Sequence, residues 1–347
     1  MPLRLGFVGA GFMGQQAHIQ NYVHLPDVEL TALAEPKAAT AAAVAKRWGI
    51  NDVFDSHQSL LTKANVDAVV AILPFGLHHA IVPDILRAGK HCLTEKPIGQ
   101  NPETAKATAQ LADDQGVIYH VGYMKRCDPA ARFTADMIRD WRHSEPFGPL
   151  RHLRVSMPPG DWIYGMEPGI RIDETAPATA AAEPTPAWMD KTTSEDYIRF
   201  VNYYIHQVNL VRFLLGEDYT IRYADKTGVV LVAESDSGVP ITFEMAAYEM
   251  RDEWRETCTA SFASGQVELH LPAPLARQPG TVQIYKNTEP HPIYEQPVMP
   301  PTWSMREQAR LFVESIQNGT PTISSAWDAV KDLETAEDFI RLHQSNQ

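Results

Sequence analysis

The chain has 347 residues, 44% of them hydrophobic and 21% charged, which is a globular composition long enough for two domains. Its net charge of −13, with no basic block anywhere, argues against nucleic acid as a partner. Cys92, Cys127 and Cys258 have neither CxxC spacing nor an even count, no apolar run approaches about 18 residues, and the apolar start is broken by glycine; the expectation is a cytoplasmic protein without zinc, disulfides or membrane spans.

Leu3 to Val8 reads as a short buried strand. Gly9-Ala10-Gly11-Phe12-Met13-Gly14 follows at once, and Gln15 to Leu25 can continue as a helix. Strand, tight turn and helix N-terminus are the context in which GxGxxG carries meaning. Gly9 permits the turn, Gly11 lets a pyrophosphate approach the backbone, and Gly14 lets helix and strand pack closely. Free N–H groups at the helix start would then hold the phosphates. The second strand, Val28 to Ala34, ends in Glu35, 21 residues beyond Gly14. An acid there accepts both adenosine-ribose hydroxyls and repels a 2′-phosphate, so NAD is expected over NADP; Lys37 softens that preference.

Helix and strand then alternate. Helices are expected at Ala38–Trp48, Ser59–Lys63, His79–Ala88 and Pro102–Gln115, and strands at Ala68–Leu73, His91–Thr94 and Val117–Val121. This alternation means a doubly wound parallel sheet, whose ligands lie beyond the carboxyl ends of its strands. Glu35, Pro74, Lys96 and Tyr123 fall there. Leu93-Thr94-Glu95-Lys96-Pro97 is the central stretch, because proline keeps Lys96 out of the helical region at the end of a buried strand. The candidate cofactor contacts are Gly9, Gly11, Phe12, Met13, Gly14, Glu35, Lys37, Leu73, Pro74, His78, Glu95 and Lys96.

The ordered set Gly9-x-Gly11-x-x-Gly14, Pro74-x-x-x-His78, Ala88-Gly89-Lys90-His91, Glu95-Lys96-Pro97 and Val121-Gly122-Tyr123 resembles the glucose–fructose oxidoreductase / inositol dehydrogenase / MocA family. The resemblance implies a Rossmann domain over 1–124. It implies a second α+β domain over 125–347 with an open-faced antiparallel sheet, through which members form homodimers or homotetramers. Members commonly carry asparagine after the proline, where this chain has Phe75.

Past residue 124, Ala130–Arg142 reads as a helix. Alternating runs at Arg151–Met157, Val229–Val232, Ile241–Tyr248, Glu256–Phe262, Val267–Leu271 and Thr281–Tyr285 indicate a mostly antiparallel sheet. Thr302–Asn318 and Ala326–His343 are closing helices. Between Pro158 and Thr193 the sequence loosens; Glu174 to Pro186 is low in bulky apolar residues and reads as a long surface loop, a lid or an arm. Arg171, Trp188 and Lys191 flank it and reach toward a cleft.

A single helix is expected over Ser194–Leu215. Asn202, His206 and Asn209 lie on one stripe of it, at spacings of four and three. The pattern resembles the family's Asp-x-x-x-His, with Asn202 in place of the aspartate and without the glycines that usually precede it. Asparagine adds no charge, so His206 should be a weaker base than in the usual arrangement.

The resulting expectation is an enzyme that oxidises a secondary hydroxyl, at C3, of a sugar, polyol or glycoside with NAD. His206 would act as base and Lys96 would stabilise the developing alkoxide. Tyr123 and Asn202 would orient the ring, with Lys125, Arg126 and Arg171 meeting an anionic substituent. The alternative is an NAD-dependent glycosidase that oxidises C3 transiently, eliminates the aglycone, adds water and reduces the ketone back. The stretch Asn202 to Asn209 resembles glycoside-acting relatives. A third expectation is a cofactor-binding regulator without catalysis.

Overall fold

The computed structural model describes residues 2–158, 160–175, 180–245 and 253–345. Strand β1 (Leu3–Val8) leads through the glycine loop into a π-helical stretch, Gly14–Ile19, and the single turn α1 (Gln20–Tyr22). Then come β2 (Val28–Ala34), α2 (Ala38–Trp48), β3 (Asp52–Phe54), α3 (His57–Lys63), β4 (Ala68–Ala71), α4 (His78–Arg87), β5 (His91–Glu95), α5 (Pro102–Gln115) and β6 (Tyr119–Gly122). After α6 (Met124–Cys127), α7 (Pro129–Ser144) and β7 (Leu150–Ser156) follow helices α8 (Lys191–Tyr203) and α9 (Ile205–Leu215). Strands β8 (Tyr219–Ala224), β9 (Val230–Ser235), β10 (Pro240–Glu244), β11 (Glu256–Phe262), β12 (Gly265–Leu271), β13 (Thr281–Lys286) and β14 (Ile293–Glu295) precede α10 (Ser304–Asn318) and α11 (Ala326–Ser345). Of the run expected at Ile241–Tyr248, residues 246–248 lie outside the described residues.

The chain forms two compact units that interleave along the sequence. The first takes Met1–Tyr123, Met166–Ile198 and Met305–Leu333; the second takes Met124–Gly165, Arg199–Ser304 and Glu334–Gln347.

The first unit holds a six-stranded sheet in the order β3-β2-β1-β4-β5-β6, every pairing parallel. Strands such as β4 are buried along their whole length, as parallel strands covered on both faces must be. Chain order reverses between β1 and β4, which opens a crevice at the carboxyl ends of those two strands. Helix ends follow local chemistry. Asn101 caps α5 by accepting from the Glu103 amide at 3.0 Å, Pro102 opens it, and Gly116 closes it in the left-handed region. Residues 305–333 join this unit because Ala309, Phe312 and Val313 enter its core with Leu5, Phe7 and Val70. They also finish the β6 edge, where the Val121 amide donates to Ser324 O and the Ser324 hydroxyl donates to Val121 O.

The second unit is built on an eight-stranded sheet ordered β14-β13-β12-β11-β7-β10-β9-β8. All its pairings are antiparallel except β7 with β10. Alternate residues of β12 are buried, the pattern of a sheet packed on one face. Trp141 of α7 packs at a tilt against Phe147 and edge-to-face against Phe262 of β11. The architecture is therefore α/β, a parallel Rossmann sheet with a mostly antiparallel second sheet. No helix among the described residues is long and apolar enough to cross a membrane.

Candidate active site

The glycine loop of the first unit fits a dinucleotide pyrophosphate. Gly9 has φ +92°, and a Cβ there would lie 2.3 Å from Ile72 O. Only glycine satisfies both conditions. A Cβ on Gly11 would meet nothing within 4 Å, so the outer side of the loop is open to a ligand. Gly14 packs so closely that its Cβ would stand 2.9 Å from Gly9 O. Phe12 and Met13 are half-buried, and Met13 packs against the core. Glu35 is only 8% exposed. Its carboxylate accepts from the Ala10 amide at 2.8 Å and from the Lys37 amide at 3.1 Å, so it braces the loop.

Lys96 stands at the carboxyl end of β5, half-buried, followed by a cis peptide bond to Pro97. The carboxylate before it is clamped. His18 Nε2 lies 2.7 Å from Glu95 Oε1, and the Lys96 amide donates to Glu95 Oε2 at 3.3 Å. Burial pushes the Glu95 carboxyl up, but hydrogen bonding and charge from His18 and the Lys96 ammonium outweigh it, leaving Glu95 below the usual carboxylate range. His18 reaches Glu95 from the π-helical stretch after the glycine loop, a geometry often found at functional sites.

His78, expected as a cofactor contact, is 1% exposed and lies behind the site. Its Nδ1 is 3.2 Å from Ile98 O, where a neutral ring donates. Burial lowers its pKa to about 4. His78 therefore braces the turn that follows Lys96. Leu73 and Pro74 remain on the β4 edge, Leu73 half-buried and Pro74 exposed. Tyr123 is buried.

Residues 166–198 belong to the first unit and run along this same edge as a strap. The Gln15 side chain pairs with the Ile170 backbone, accepting from its amide at 2.9 Å and donating to its carbonyl at 3.1 Å. Glu174 accepts from the start of α2. Glu183 then accepts from the Gln100 amide at 2.5 Å and donates its own amide to Gly76 O at 2.7 Å. Arg171 and Trp188 are exposed, and Lys191 pairs with Glu195 at 3.9 Å. Of the stretch expected as a loop, residues 159 and 176–179 lie outside the described residues.

In the second unit the structure departs from the expected single helix. It breaks at Tyr204, which lies between α8 and α9 with φ −95° and ψ −4°. The Tyr204 hydroxyl donates to Met245 O at 2.7 Å, and its ring packs near Phe200 and Tyr203. Asn202 and His206 thus sit on different helices: Asn202 is exposed and His206 half-buried. Asn209 is buried and accepts from Arg126 Nε at 2.6 Å, so the three do not form one presented stripe. Lys125 and Arg126 were expected to meet an anionic substituent. They are 5% and 4% exposed, and their charge is used internally. Lys125 is ion-paired with Glu256, which also accepts from Gln207 Nε2 at 2.7 Å and Trp254 Nε1 at 3.3 Å.

Residues 3–123 match the family model described as "Oxidoreductase family, NAD-binding Rossmann fold". Over those residues the chain matches the Gfo/Idh/MocA family. It is 30% identical over 203 residues to the UDP-N-acetylglucosamine 3-dehydrogenase of Acidithiobacillus ferrooxidans, covering 54% of this chain and 63% of that enzyme. It is 27% identical over 219 residues to the scyllo-inositol 2-dehydrogenase (NAD(+)) of Bacillus subtilis, covering 63% and 55%. Each alignment thus spans less than two thirds of the relative's own length. The fold is shared throughout with the aldose-aldose oxidoreductase of Caulobacter crescentus, at a TM-score of 0.75 and 19% identity, covering 100% of this chain and 99% of that one.

Several residues that shape the candidate site carry no local signal. Gln15, Glu174 and Glu183 meet partners 83 to 155 positions away. His18 was findable, because a polar side chain in a helix packed against a sheet needs a buried partner.

Proposed function

We propose that this protein is an NAD-dependent dehydrogenase that oxidises a secondary hydroxyl, at C3, of a sugar, polyol or glycoside. The observation that carries the reading is Lys96, held by the Glu95–His18 clamp on the sheet edge that also carries the open glycine loop. The names of the relatives support the substrate class, one being a sugar-nucleotide 3-dehydrogenase and another an inositol 2-dehydrogenase.

NAD, when bound, supplies the hydride acceptor. The backbone amides after Gly9 would hold its pyrophosphate, and Glu35 would accept from its adenosine ribose. Lys96 donates a hydrogen bond to the substrate oxygen and stabilises negative charge as it develops there. His206 takes the hydroxyl proton, and Asn202 binds a neighbouring hydroxyl. Oligomerisation through the second sheet belongs to the same reading, and light scattering of the purified protein measures it.

The test is NADH formation from a panel of free sugars, polyols, glycosides and sugar acids. Lys96→Ala should abolish it while NADH still binds; near-normal turnover in that variant would remove Lys96 from the chemistry. A second reading, redox-neutral cleavage of a glycoside, is favoured by the strap along the dinucleotide edge, which suits a cofactor that stays bound through a closed cycle. There C3 is oxidised, the C2 proton leaves, the aglycone is expelled, water adds at C1 and the C3 ketone is reduced again. Aglycone release without added NAD, with solvent deuterium entering C2, distinguishes it.

A further inference from the structure

The start of α2 lacks a cap of its own. Its N-cap residue, Lys37, makes no side-chain capping bond, and no acidic residue stands in its first turn. The cap comes from Glu174, 134 positions away on the strap. Glu174 Oε1 accepts from the Thr40 amide and the Thr40 hydroxyl, both at 2.7 Å, and Oε2 accepts from the Ala39 amide at 3.1 Å. These hydrogen bonds hold the Glu174 carboxyl below its usual range, with the Thr40 hydroxyl first among the causes.

This position has a chemical meaning if the first unit binds a dinucleotide, and the inference rests on that reading. The acid that ends β2 borders the adenosine 2′-hydroxyl, and the helix that follows β2 begins beside it. A 2′-phosphate there would draw on the free amides of that helix start, as phosphates do at helix N-termini. In this chain those amides already serve a carboxylate. Glu35 alone is a weak barrier, since it is 8% exposed and both its oxygens are engaged by backbone amides. We propose that Glu174 is a specificity-determining residue: it occupies the anion position at the start of α2 and thereby excludes the 2′-phosphate of NADP. Discrimination then combines a repelling charge with the removal of the donors a phosphate would use. Lys37 remains nearby as the one residue of this group that favours the phosphate, and it is already engaged by the Glu174 charge.

Titration of the nucleotide-stripped protein with NADH and NADPH, followed by nicotinamide fluorescence, tests this. The wild type should prefer NADH. Glu174→Gln keeps a carbonyl oxygen for Thr40, so the strap stays tied while the charge is lost; the ratio of NADPH to NADH dissociation constants should fall about tenfold, the scale of one charge at this range. Glu183→Gln, at the far end of the strap, should leave the ratio unchanged. A strap that merely contributed packing would weaken both dinucleotides equally in both variants. If Glu174→Gln binds NADH normally and the ratio does not move, or if the wild type takes NADPH as tightly as NADH, Glu174 is not the determinant. If the wild type binds neither dinucleotide, the cofactor reading itself falls with it.

Discussion

Glu95 sits between His18, from the π-helical stretch, and the ammonium of the residue that follows it. Removing its charge would leave His18 buried with a weaker partner and free the Lys96 backbone from its brace. Glu95→Gln should therefore lower kcat by about ten- to a hundredfold, as small misplacements of a reacting group do. The dissociation constant of NADH should change little, which separates this effect from loss of the cofactor site. His78 braces the other side of the same turn and titrates in the opposite sense from a paired histidine. Its folded pKa, about 4, lies below the ordinary 6.5, so its neutral burial is fully tolerated above pH 6.5. As pH falls through 6.5 the unfolded chain gains a proton that the folded one refuses, and stability drops until the folded pKa is reached. The shift corresponds to about 3 kcal/mol across that window. Urea unfolding at pH 7.5 and 4.5 should show the wild type losing most of that amount through this residue, and His78→Gln should flatten the slope.

The helix that carries His206 shows where periodicity stops being informative. A period of 3.6 over Ser194–Leu215 is compatible with one helix, and nothing in the spacing marks Tyr204 as a break. At the break the Tyr204 hydroxyl donates to Met245 O, 41 positions away, a contact no local spacing announces. The alternation of the first 123 residues, by contrast, was legible because glycine caps, N-cap residues and apolar strands all act within a few positions. The bounds of β2, α2 and α5 match the expected Val28–Ala34, Ala38–Trp48 and Pro102–Gln115 for that reason. The basic pair Lys125-Arg126 was legible as charge but not as partnership, since Glu256 lies 131 positions further on. A buried ion pair that loses one member leaves an uncompensated charge, at a cost of about 3–5 kcal/mol. Glu256→Gln should lower the stability of the protein by that order in urea unfolding. Lys125→Met combined with Glu256→Leu should recover most of it. If Lys125 instead held an anionic substrate, Glu256→Gln would leave stability intact and tighten substrate binding.

At the scale of the whole chain, the first unit is assembled from three separate stretches, and the middle one determines how its crevice is used. The sequence leaves the part of this stretch before Ser194 open as a surface loop, a lid or an arm. In the structure residues 166–198 are tied to the glycine loop through Gln15, to α2 through Glu174 and to Gln100, just ahead of α5, through Glu183. These three ties fall at the ends of different strands, so the strap follows the line a dinucleotide would take along the sheet edge. A ligand beneath such a strap must break ties to leave, which slows its release without altering its contacts. Gln15 lies outside the chemistry and anchors the strap beside the pyrophosphate loop. Gln15→Ala should therefore raise the NADH dissociation rate by about tenfold in stopped-flow displacement, the equivalent of losing one or two modest hydrogen bonds. Its association rate should rise as well if the strap also guards entry. Unchanged rates in Gln15→Ala would mean that the strap lies beside the cofactor path and not across it, and the redox-neutral reading would then lose the observation that favours it.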